Sequence, residues 1–490
     1  MASMASQRTV TLRSTDPAAG EVVAAAGLKP RFDAIRAEQE VPAEFPDDVL
    51  AEADTVATQP LSRPERDESE LPFLTIDPPG SMDLDQAMHL SRDGDGYRVR
   101  YAIAHLESFV APGGAIDAEA RRRGQTIYAP DERTPLHPPT LSEGAASLLP
   151  DQVRPAYLWD IRLDARGEHT AAEVYPALVR SVDRLEYTAV QEAVDAGTDD
   201  ERLVLLKEIG EKRIALEQER GGASLPMPDQ EVEEVDGGFR LHLRPLVPAE
   251  DWNAQISLLT GMVAGGMMLE ARVGILRTMP DPERSAVDQL RRIARALGVE
   301  WAEGTDHGTF LRSLDGTDPK HLALIHESTV LFRGAGYTAF DGSVPEVVEQ
   351  SAIGAPYAHV TAPLRRLVDR FGLALCVAVS AGEEVPQWVR EALPVLPDLM
   401  EASDRTAGAV ERATTDAVEA ATLADRVGQE FPAVVVDAPD GKDDGDDLEI
   451  QLVDPPVMAK AKGAANLGAE VTVRLTDVDL AQGKVTFEVV

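Results

Sequence analysis

The chain has 490 residues, of which 43% are hydrophobic, and a formal net charge of −38. Its length exceeds a single ordinary core, so we expect one large domain with small appendages, and its single cysteine excludes a disulfide framework or a cysteine-rich metal site. The charge is opposite to that of a typical nucleic-acid-binding surface, so any contact with a nucleic acid must depend on local basic side chains.

The first 64 residues are predicted to form an N-terminal extension. They contain one alternating stretch, Thr9–Leu12, and a short predicted helix at Asp47–Asp54. The N-terminus lacks an apolar secretory stretch, and no run of the sequence approaches the length that spans a membrane. We therefore expect a cytoplasmic protein without membrane contact.

An acidic loop follows the first predicted buried strand. The apolar run that starts at Phe73 ends in Asp77, residues 78–80 break the strand, and Asp83 and Asp85 then point the same way in an extended segment. Three carboxylates so close repel one another unless a cation binds there, and their hard oxygen atoms suit Mg²⁺ or Mn²⁺. A solvated acidic turn is the alternative, because Asp, Pro and Gly are common turn residues.

This loop resembles the signature of the RNB-domain exoribonucleases, the ribonuclease II and ribonuclease R family. In that pattern Thr-Ile-Asp is followed by five variable residues and Asp-x-Asp-Asp-Ala. Asp77, Asp83 and Asp85 match the first three family aspartates, and Gln86 stands in place of the fourth. The resemblance implies a metal site formed by these four residues, with Asp85 also catalytic, although Gln86 can offer a carbonyl oxygen but no negative charge.

Three further blocks resemble the same family in the same order. A predicted strand at 97–104 leads into Arg-Gly-Gln-Thr-Ile-Tyr at 123–128, and a proline-rich stretch follows at 135–148. The last block is Tyr-Ala-His-Val-Thr-Ala-Pro-Leu-Arg-Arg-Leu-Val-Asp at 357–369. Together the four blocks extend over about three hundred residues, as the family order implies.

The resemblance also implies roles for individual side chains in these blocks. Tyr128 is expected to pack against the last nucleotide, and Arg365 to place its guanidinium on phosphate oxygens where charge develops in the transition state. Arg365 with Arg366, and Arg123 at the end of an Arg-Arg-Arg run, are the candidate RNA-binding clusters. A solvated helix face is the alternative for the Arg123 cluster.

Some family features look absent. The second aromatic residue of the family's base clamp falls near Leu225, and Ser257 and Leu258 stand where the family usually has paired glutamates. Together with Gln86, these departures keep open an altered or weakened nuclease.

The resemblance and the periodicity together predict an α+β fold. A mixed α/β RNB catalytic domain is expected over residues 65–400, a connecting helix over 401–428 and a C-terminal OB-fold β-barrel over 429–490. Helices are predicted at Asp199–Arg220, Trp252–Leu276 (one helix or a pair) and Ser403–Val427, and barrel strands at Phe431–Asp437, Leu448–Val453, Glu470–Val478 and Lys484–Val490. The acidic run Asp440–Asp447 is predicted to be a solvated hairpin tip. About 64 leading residues cannot hold the pair of OB barrels that begins many family members, so a shortened variant is expected.

The function implied by the resemblance is a metal-dependent 3′→5′ exoribonuclease that hydrolyses single-stranded RNA to nucleoside 5′-monophosphates with Mg²⁺ or Mn²⁺. Two alternatives stay open. One is a catalytically weakened RNB fold that binds RNA or regulates a partner, and the other is a metal-dependent hydrolase of short phosphodiesters. The sequence identifies no protein partner.

Overall fold

The structure is a computed structural model that describes residues 22–59, 64–223, 225, 229–235, 238–244, 246–438 and 448–490. The helices are α1 (Ala25–Glu38), α2 (Asp47–Thr58), α3 (Ala115–Arg123), α4 (Tyr187–Asp195), α5 (Glu201–Glu219), α6 (Pro248–Ala271), α7 (Arg284–Leu297), α8 (His307–Arg312), α9 (Pro319–Glu327), α10 (Leu367–Ala381), α11 (Gln387–Ala392) and α12 (Leu396–Leu423).

The strands are β1 (Val22–Ala24), β2 (Arg66–Asp67), β3 (Phe73–Ile76), β4 (Gln86–Asp93), β5 (Gly96–Ala104), β6 (Ile127–Tyr128), β7 (Arg133–Thr134), β8 (Val153–Leu163), β9 (His169–Leu185), β10 (Asp229–Val235), β11 (Gly238–Arg244), β12 (Val273–Thr278), β13 (Gly336–Asp341), β14 (Glu349–Gln350), β15 (Ala355–Pro356), β16 (Glu430–Asp437), β17 (Leu448–Leu452), β18 (Met458–Lys462), β19 (Glu470–Asp479) and β20 (Lys484–Val489). A π-helical turn lies at Leu141–Ala145.

A six-stranded sheet in the order β2-β9-β3-β4-β5-β8 organises the large domain. The long strand β9 pairs antiparallel with β8 and, through its last residues, parallel with β3. The pairings β9-β3-β4-β5-β8-β9 therefore form a closed ring. The alternating apolar side chains of β4 and β5 pack into the main core with α5, α6 and α10. β3 and β4 are neighbours inside this sheet, and the acidic loop connects the end of β3 to the start of β4.

Beside the acidic loop, backbone hydrogen bonds join two segments that are far apart in sequence. The Thr126 N–H donates to the Arg365 carbonyl (2.9 Å), and the Leu367 N–H donates to the Gly124 carbonyl (2.9 Å). The residues before α10 are therefore held beside the segment that leads into β6.

A close approach between α6 and the segment after β15 fixes that same region. The Ala358 N–H donates to the Gly261 carbonyl at 3.0 Å. A Cβ atom at Gly261 would overlap the Tyr357 ring and lie 2.7 Å from the Ala358 carbonyl oxygen, whereas one at Gly266 would meet nothing within 4 Å. Only glycine permits this approach of the helix to Tyr357.

The C-terminal residues form a closed barrel in the order β16-β17-β18-β20-β19. Its interior contains Phe431 and Phe487, whose rings meet edge to face. Val410, Val418 and Leu423 of α12 are buried in the same hydrophobic cluster as the barrel interior. The helix thus attaches the barrel to the large domain.

The predicted α+β class and the terminal barrel are confirmed, and α2, α5 and four barrel strands lie within a few residues of their predicted bounds. Two predictions need correction. The helix predicted over 252–276 ends at Ala271, because residues 273–278 pair with β13 as β12. The helix predicted from Ser403 begins at Leu396 and passes through residue 400, and the domain boundaries stay a prediction. Strand β18 was not predicted.

Two predictions, the alternating stretch Thr9–Leu12 and the hairpin tip Asp440–Asp447, lie outside the described residues. Among the helices of the described ranges, none is both long enough and apolar enough to cross a membrane.

Replacing Gly261 with alanine is expected to lower the free energy of unfolding by about 1–3 kcal/mol, the usual cost of overpacking a filled interior. The added methyl group must displace Tyr357 or the backbone at Ala358. Urea unfolding of Gly261→Ala against the unmodified protein measures this cost.

The matched control is Gly266→Ala in the same helix, where an added Cβ meets open space. Because alanine is the better helix former, this variant should be neutral or gain up to about 1 kcal/mol. Equal destabilisation by both variants would show that the approach to Tyr357 does not constrain α6.

Candidate active site

The Asp85 side chain joins the start of β4 to the segment before α10. Its Oδ1 accepts a hydrogen bond from the Leu364 backbone N–H (2.7 Å), and its Oδ2 lies 3.2 Å from Arg365 Nε. Burial raises the pKa of the Asp85 carboxyl, and the Arg365 guanidinium and the Leu364 N–H oppose that rise by favouring the charged form. The structure thus brings together two predicted catalytic residues from distant parts of the chain.

Asp83 is held by an arginine that the sequence did not single out. Arg133 of β7 places Nη1 2.6 Å from Asp83 Oδ1, and its Nη2 lies 2.8 Å from Glu143 Oε1 in the π-helical turn. The β6–β7 pairing brings Arg133 near Tyr128 and the acidic loop. No spacing in the sequence indicates this contact, because it depends on how that hairpin folds back.

Asp77, directly after β3, is the third carboxylate of the loop. Among the described residues its side chain has no hydrogen-bonding partner, although its backbone N–H donates to the Leu185 carbonyl (3.1 Å). Burial raises the pKa of Asp77 to about 6; Asp83 adds to the rise, and Arg365 and Arg184 oppose it. The Asp77 carboxyl therefore feels Arg365 and Arg184 at a distance but has no direct counter-ion in the described structure.

Gln86 begins β4, and its Oε1 accepts a short hydrogen bond from the Tyr101 hydroxyl group. Tyr101 is fully buried, so the amide is bound to the neighbouring strand β5. In this arrangement the Gln86 carbonyl oxygen is engaged, and its predicted role as a metal ligand stays a prediction.

A cavity of about 1030 Å³ opens beside these residues, and Tyr128, Arg365 and Arg366 all line it. Tyr128 is 36% exposed, which leaves part of its ring accessible. Arg366 is held by Asp369, with Nη2 to Oδ1 at 2.8 Å and Nε to Oδ2 at 2.9 Å. Other lining residues that the sequence did not identify are Arg277, Tyr337, Arg405 and Arg412.

His359 also lines the cavity, and its Nδ1 lies 2.7 Å from the Tyr337 hydroxyl oxygen. Burial lowers the pKa of His359 well below its ordinary value, and the guanidinium groups of Arg366 and Arg277 lower it further. The imidazole is therefore neutral, and the positive charge at the cavity wall comes from arginines.

Arg123 is not brought to the cavity, which corrects the prediction that it contacts RNA. Its side chain is only 2% exposed, and its Nε lies 2.7 Å from Glu119 Oε1. Its Nη groups donate to the carbonyl oxygens of Glu44 (2.8 Å) and Pro135 (3.2 Å), and its guanidinium stacks over Phe45. The last side chain of the Arg-Arg-Arg run points inward, since α3 turns that face toward the core.

A divalent cation fits the donor set of the acidic loop in kind, because Asp77, Asp83 and Asp85 offer hard oxygen atoms and Asp77 has no direct counter-ion. In the arrangement seen, however, no three Asp, Glu, His or Cys side chains of the described ranges converge on a point that could hold a metal ion. Arg133 and Arg365 engage two of the three carboxylates instead. The predicted ligands are neighbours, but they are not assembled around a common centre.

Comparisons with protein families match most of the chain. The RNB domain model matches residues 65–373, and the model of the RNase II-type exonuclease C-terminal S1 domain matches residues 429–490. The chain is 27% identical over 325 residues to ribonuclease R of Escherichia coli, and 26% identical over 343 residues to the exosome complex exonuclease RRP44 homolog A of Arabidopsis thaliana. These alignments cover 61% and 65% of this chain but only 38% and 36% of the relatives.

Solved structures share the fold. RNase R of Mycoplasma genitalium in complex with ribose-methylated single-stranded RNA superposes with a TM-score of 0.83 at 19% identity, covering 94% of this chain and 77% of that chain. Yeast Ssd1, described as a pseudonuclease, superposes with a TM-score of 0.68 at 15% identity, covering 91% and 58%. At these identities the likeness shows the fold alone, and it confirms an RNB fold with a C-terminal barrel.

Replacing Arg123 with alanine is expected to lower the free energy of unfolding by about 3 kcal/mol, because it breaks a buried, hydrogen-bonded ion pair. The folded variant should bind single-stranded RNA with unchanged affinity, since the guanidinium faces the interior. Urea unfolding and fluorescence anisotropy with labelled RNA measure the two quantities.

Arg122→Ala is the control, because Arg122 contacts the same Glu119 but its side chain is 54% exposed. Its loss should cost less than about 1 kcal/mol. Weaker RNA binding by folded Arg123→Ala, with unchanged stability, would restore Arg123 as an RNA contact.

Proposed function

Because this chain belongs to the RNB domain family, we propose that it is an exoribonuclease that degrades single-stranded RNA from the 3′ end to nucleoside 5′-monophosphates. The observation that carries this proposal is the pairing of Asp85 with Arg365 at a cavity that Tyr128 also lines. A buried carboxylate, an oriented guanidinium and a partly exposed aromatic ring are the groups needed to position a phosphodiester at the end of a strand.

Arg365 is oriented to bind a phosphate group. Its Nε is engaged by Asp85, while its Nη1 and Nη2 have no hydrogen-bonding partner among the described residues. Its side chain is 35% exposed in the cavity wall. Asp85 thus fixes the guanidinium plane, and the two Nη groups remain to donate to non-bridging phosphate oxygens as negative charge grows there.

Tyr128 and the cavity arginines supply the rest of the binding surface. The Tyr128 ring offers a face on which a terminal base can stack, which is worth about 1–3 kcal/mol per base in single-strand binding. The cavity lining contains five arginines and three acidic side chains, a small positive surplus that can favour a polyanion in a chain whose net charge is −38. They are Arg277, Arg365, Arg366, Arg405 and Arg412, and Glu401, Asp404 and Glu411. The charge of Arg366 is largely balanced by Asp369, which pairs with it.

A divalent cation, Mg²⁺ or Mn²⁺, belongs to the proposal, with Asp77, Asp83 and Asp85 as the residues that would hold it and Gln86 as a weaker fourth. When bound, such ions activate the attacking water and stabilise the leaving oxygen in two-metal phosphodiester hydrolysis. The protein's own part is to present the carboxylates, to orient Arg365 and to hold the terminal nucleotide against Tyr128.

Two other functions remain as competitors. An RNB fold that binds RNA without cutting is favoured by Gln86 in place of an aspartate and by the engagement of Asp83 with Arg133. A hydrolase of short phosphodiesters is favoured by the strongly acidic composition. Both share the cavity, so only the reaction products separate them.

Incubation of the purified protein with 5′-labelled single-stranded RNA, with and without Mg²⁺ or Mn²⁺, separates the three functions. A product ladder that shortens from the 3′ end supports the proposal. Binding without products supports the RNA-binding alternative, and cleavage of dinucleotides alone supports the third.

Replacing Asp85 with asparagine is expected to lower turnover by at least about 100-fold with little change in RNA affinity. Asparagine keeps an oxygen for the Leu364 N–H but removes the charge that faces Arg365 and any cation. Single-turnover cleavage and anisotropy report the two effects.

Asp93→Asn, at the exposed end of the same strand, is the control and should leave both quantities unchanged. If Asp85→Asn cleaved RNA at the rate of the unmodified protein with saturating Mg²⁺, Asp85 would not be part of the reacting site.

Arg365→Lys is expected to lower kcat by about 100-fold while changing affinity much less. Lysine keeps the charge but cannot both pair with Asp85 and present a planar pair of donors to the phosphate. The loss of an interaction that is made mainly in the transition state lowers kcat.

The matched control is Arg405→Lys, which lines the same cavity but pairs with the exposed Glu401. It should change kcat less than about twofold. A loss of affinity with unchanged kcat in Arg365→Lys would mark Arg365 as a strand contact only.

A further inference from the structure

Arg133 lies between two carboxylates that belong to different parts of the site. Its Nη1 is 2.6 Å from Asp83 Oδ1, and its Nη2 is 2.8 Å from Glu143 Oε1. The three side chains are 21%, 13% and 29% exposed, so the pairs are partly shielded from water. One guanidinium therefore bridges the acidic loop and the π-helical turn.

The Asp83 end of this bridge engages, through Oδ1, one of the three loop carboxylates that a cation would need. The carboxylate of Asp85 is already used by Leu364 and Arg365. Asp77 has no direct counter-ion in the described structure, so Asp83 decides whether a second free carboxylate is available beside it. As long as Arg133 holds Asp83, the loop offers a metal ion only one unengaged carboxylate.

The Glu143 end of the bridge gives Arg133 an alternative partner. If Arg133 leaves Asp83, its charge stays paired with Glu143, and Asp83 is compensated by the incoming ion. No partly buried charge is left alone in this exchange, which is the condition that makes it inexpensive. Both residues lie close together in the chain, on β7 and in the turn at Leu141–Ala145, so the main sheet need not move.

We propose that Arg133 is an internal counter-ion that competes with a divalent cation for Asp83, and that Glu143 retains the guanidinium when the cation binds. The inference rests on the proposed function, because the ion pair would set how readily the site takes up the cation that the proposed reaction requires. It assigns Arg133 and Glu143 as positioning residues that act through Asp83.

Metal binding by the full chain without RNA tests the competition directly. Titration with Mn²⁺, followed by the loss of the free-ion electron paramagnetic resonance signal, gives the affinity without any need for activity. Arg133→Gln should bind Mn²⁺ at least about tenfold more tightly than the unmodified protein, equivalent to about 1.4 kcal/mol.

Arg184→Gln is the control for charge alone. Arg184 also acts on Asp77, but its Nη1 donates to the Ser81 carbonyl oxygen (3.0 Å) and not to a loop carboxylate. Removing it takes away the same positive charge without freeing a ligand oxygen, so its effect should be clearly smaller than that of Arg133→Gln. Equal effects would overturn the proposal.

Glu143→Gln tests the second half of the exchange. Without Glu143 the guanidinium has only Asp83, so Mn²⁺ affinity should fall by about tenfold. In the Arg133→Gln background the same substitution should have almost no effect, whereas a general loss of negative charge would weaken binding equally in both backgrounds. Equal weakening in the two backgrounds contradicts the proposal. If only Glu143→Gln and the unmodified protein fold well enough to compare, an unchanged Mn²⁺ affinity of Glu143→Gln contradicts it.

Cleavage of labelled RNA, measured in parallel, keeps this result separate from the proposed function. Tighter Mn²⁺ binding by Arg133→Gln without RNA products supports the competition and refutes the exoribonuclease. RNA products together with unchanged Mn²⁺ binding across the variants support the exoribonuclease and refute the competition.

Discussion

The contact of Asp85 with Leu364 and Arg365 is the interaction on which the site depends. It joins the start of β4 in the central sheet to the segment that enters α10. A buried carboxylate is stable there only because a backbone N–H and a guanidinium both reach it. The hydrogen bonds between residues 124–126 and 365–367 extend the same junction. Tyr128, just after residues 124–126, and Arg365 are placed at the cavity wall through this connection.

The proposed binding of RNA requires a locally positive surface on a strongly acidic chain, and the distribution of charge bears on this requirement. Many arginines of the described structure form ion pairs with acidic neighbours. Arg123 pairs with Glu119, and Arg133 pairs with Asp83 and Glu143. Arg365 differs, because one edge of its guanidinium faces Asp85 while the other faces the cavity. The local field therefore depends on a few incompletely neutralised side chains and not on net charge.

Much of the site could be predicted because its residues occur in short, ordered patterns. The Asp-x-Asp spacing suggested a cation site, the resemblance to the RNB family assigned Asp85 and Arg365 to it, and the structure brings these two side chains together. Arg133 could not be found in this way, since its contact is created by a two-residue strand pairing. Arg123 was assigned to RNA because a run of arginines does not show which member points inward. Strand β18, Met-Ala-Lys-Ala-Lys, was missed because it lacks the β-branched and aromatic residues that mark strands.

The parallel pairing of β3 with the end of β9 has a consequence for the order in which this protein is made. Phe73 pairs with Ser181 and Ile76 with Leu185, so the strand that carries Asp77 has no partner on that side until about a hundred further residues have been synthesised. The hydrogen bond between Asp85 and the Leu364 N–H can form only after still more of the chain has been synthesised. Arg133 can reach Asp83 earlier, but the contact between Asp85 and Arg365 can form only late in synthesis.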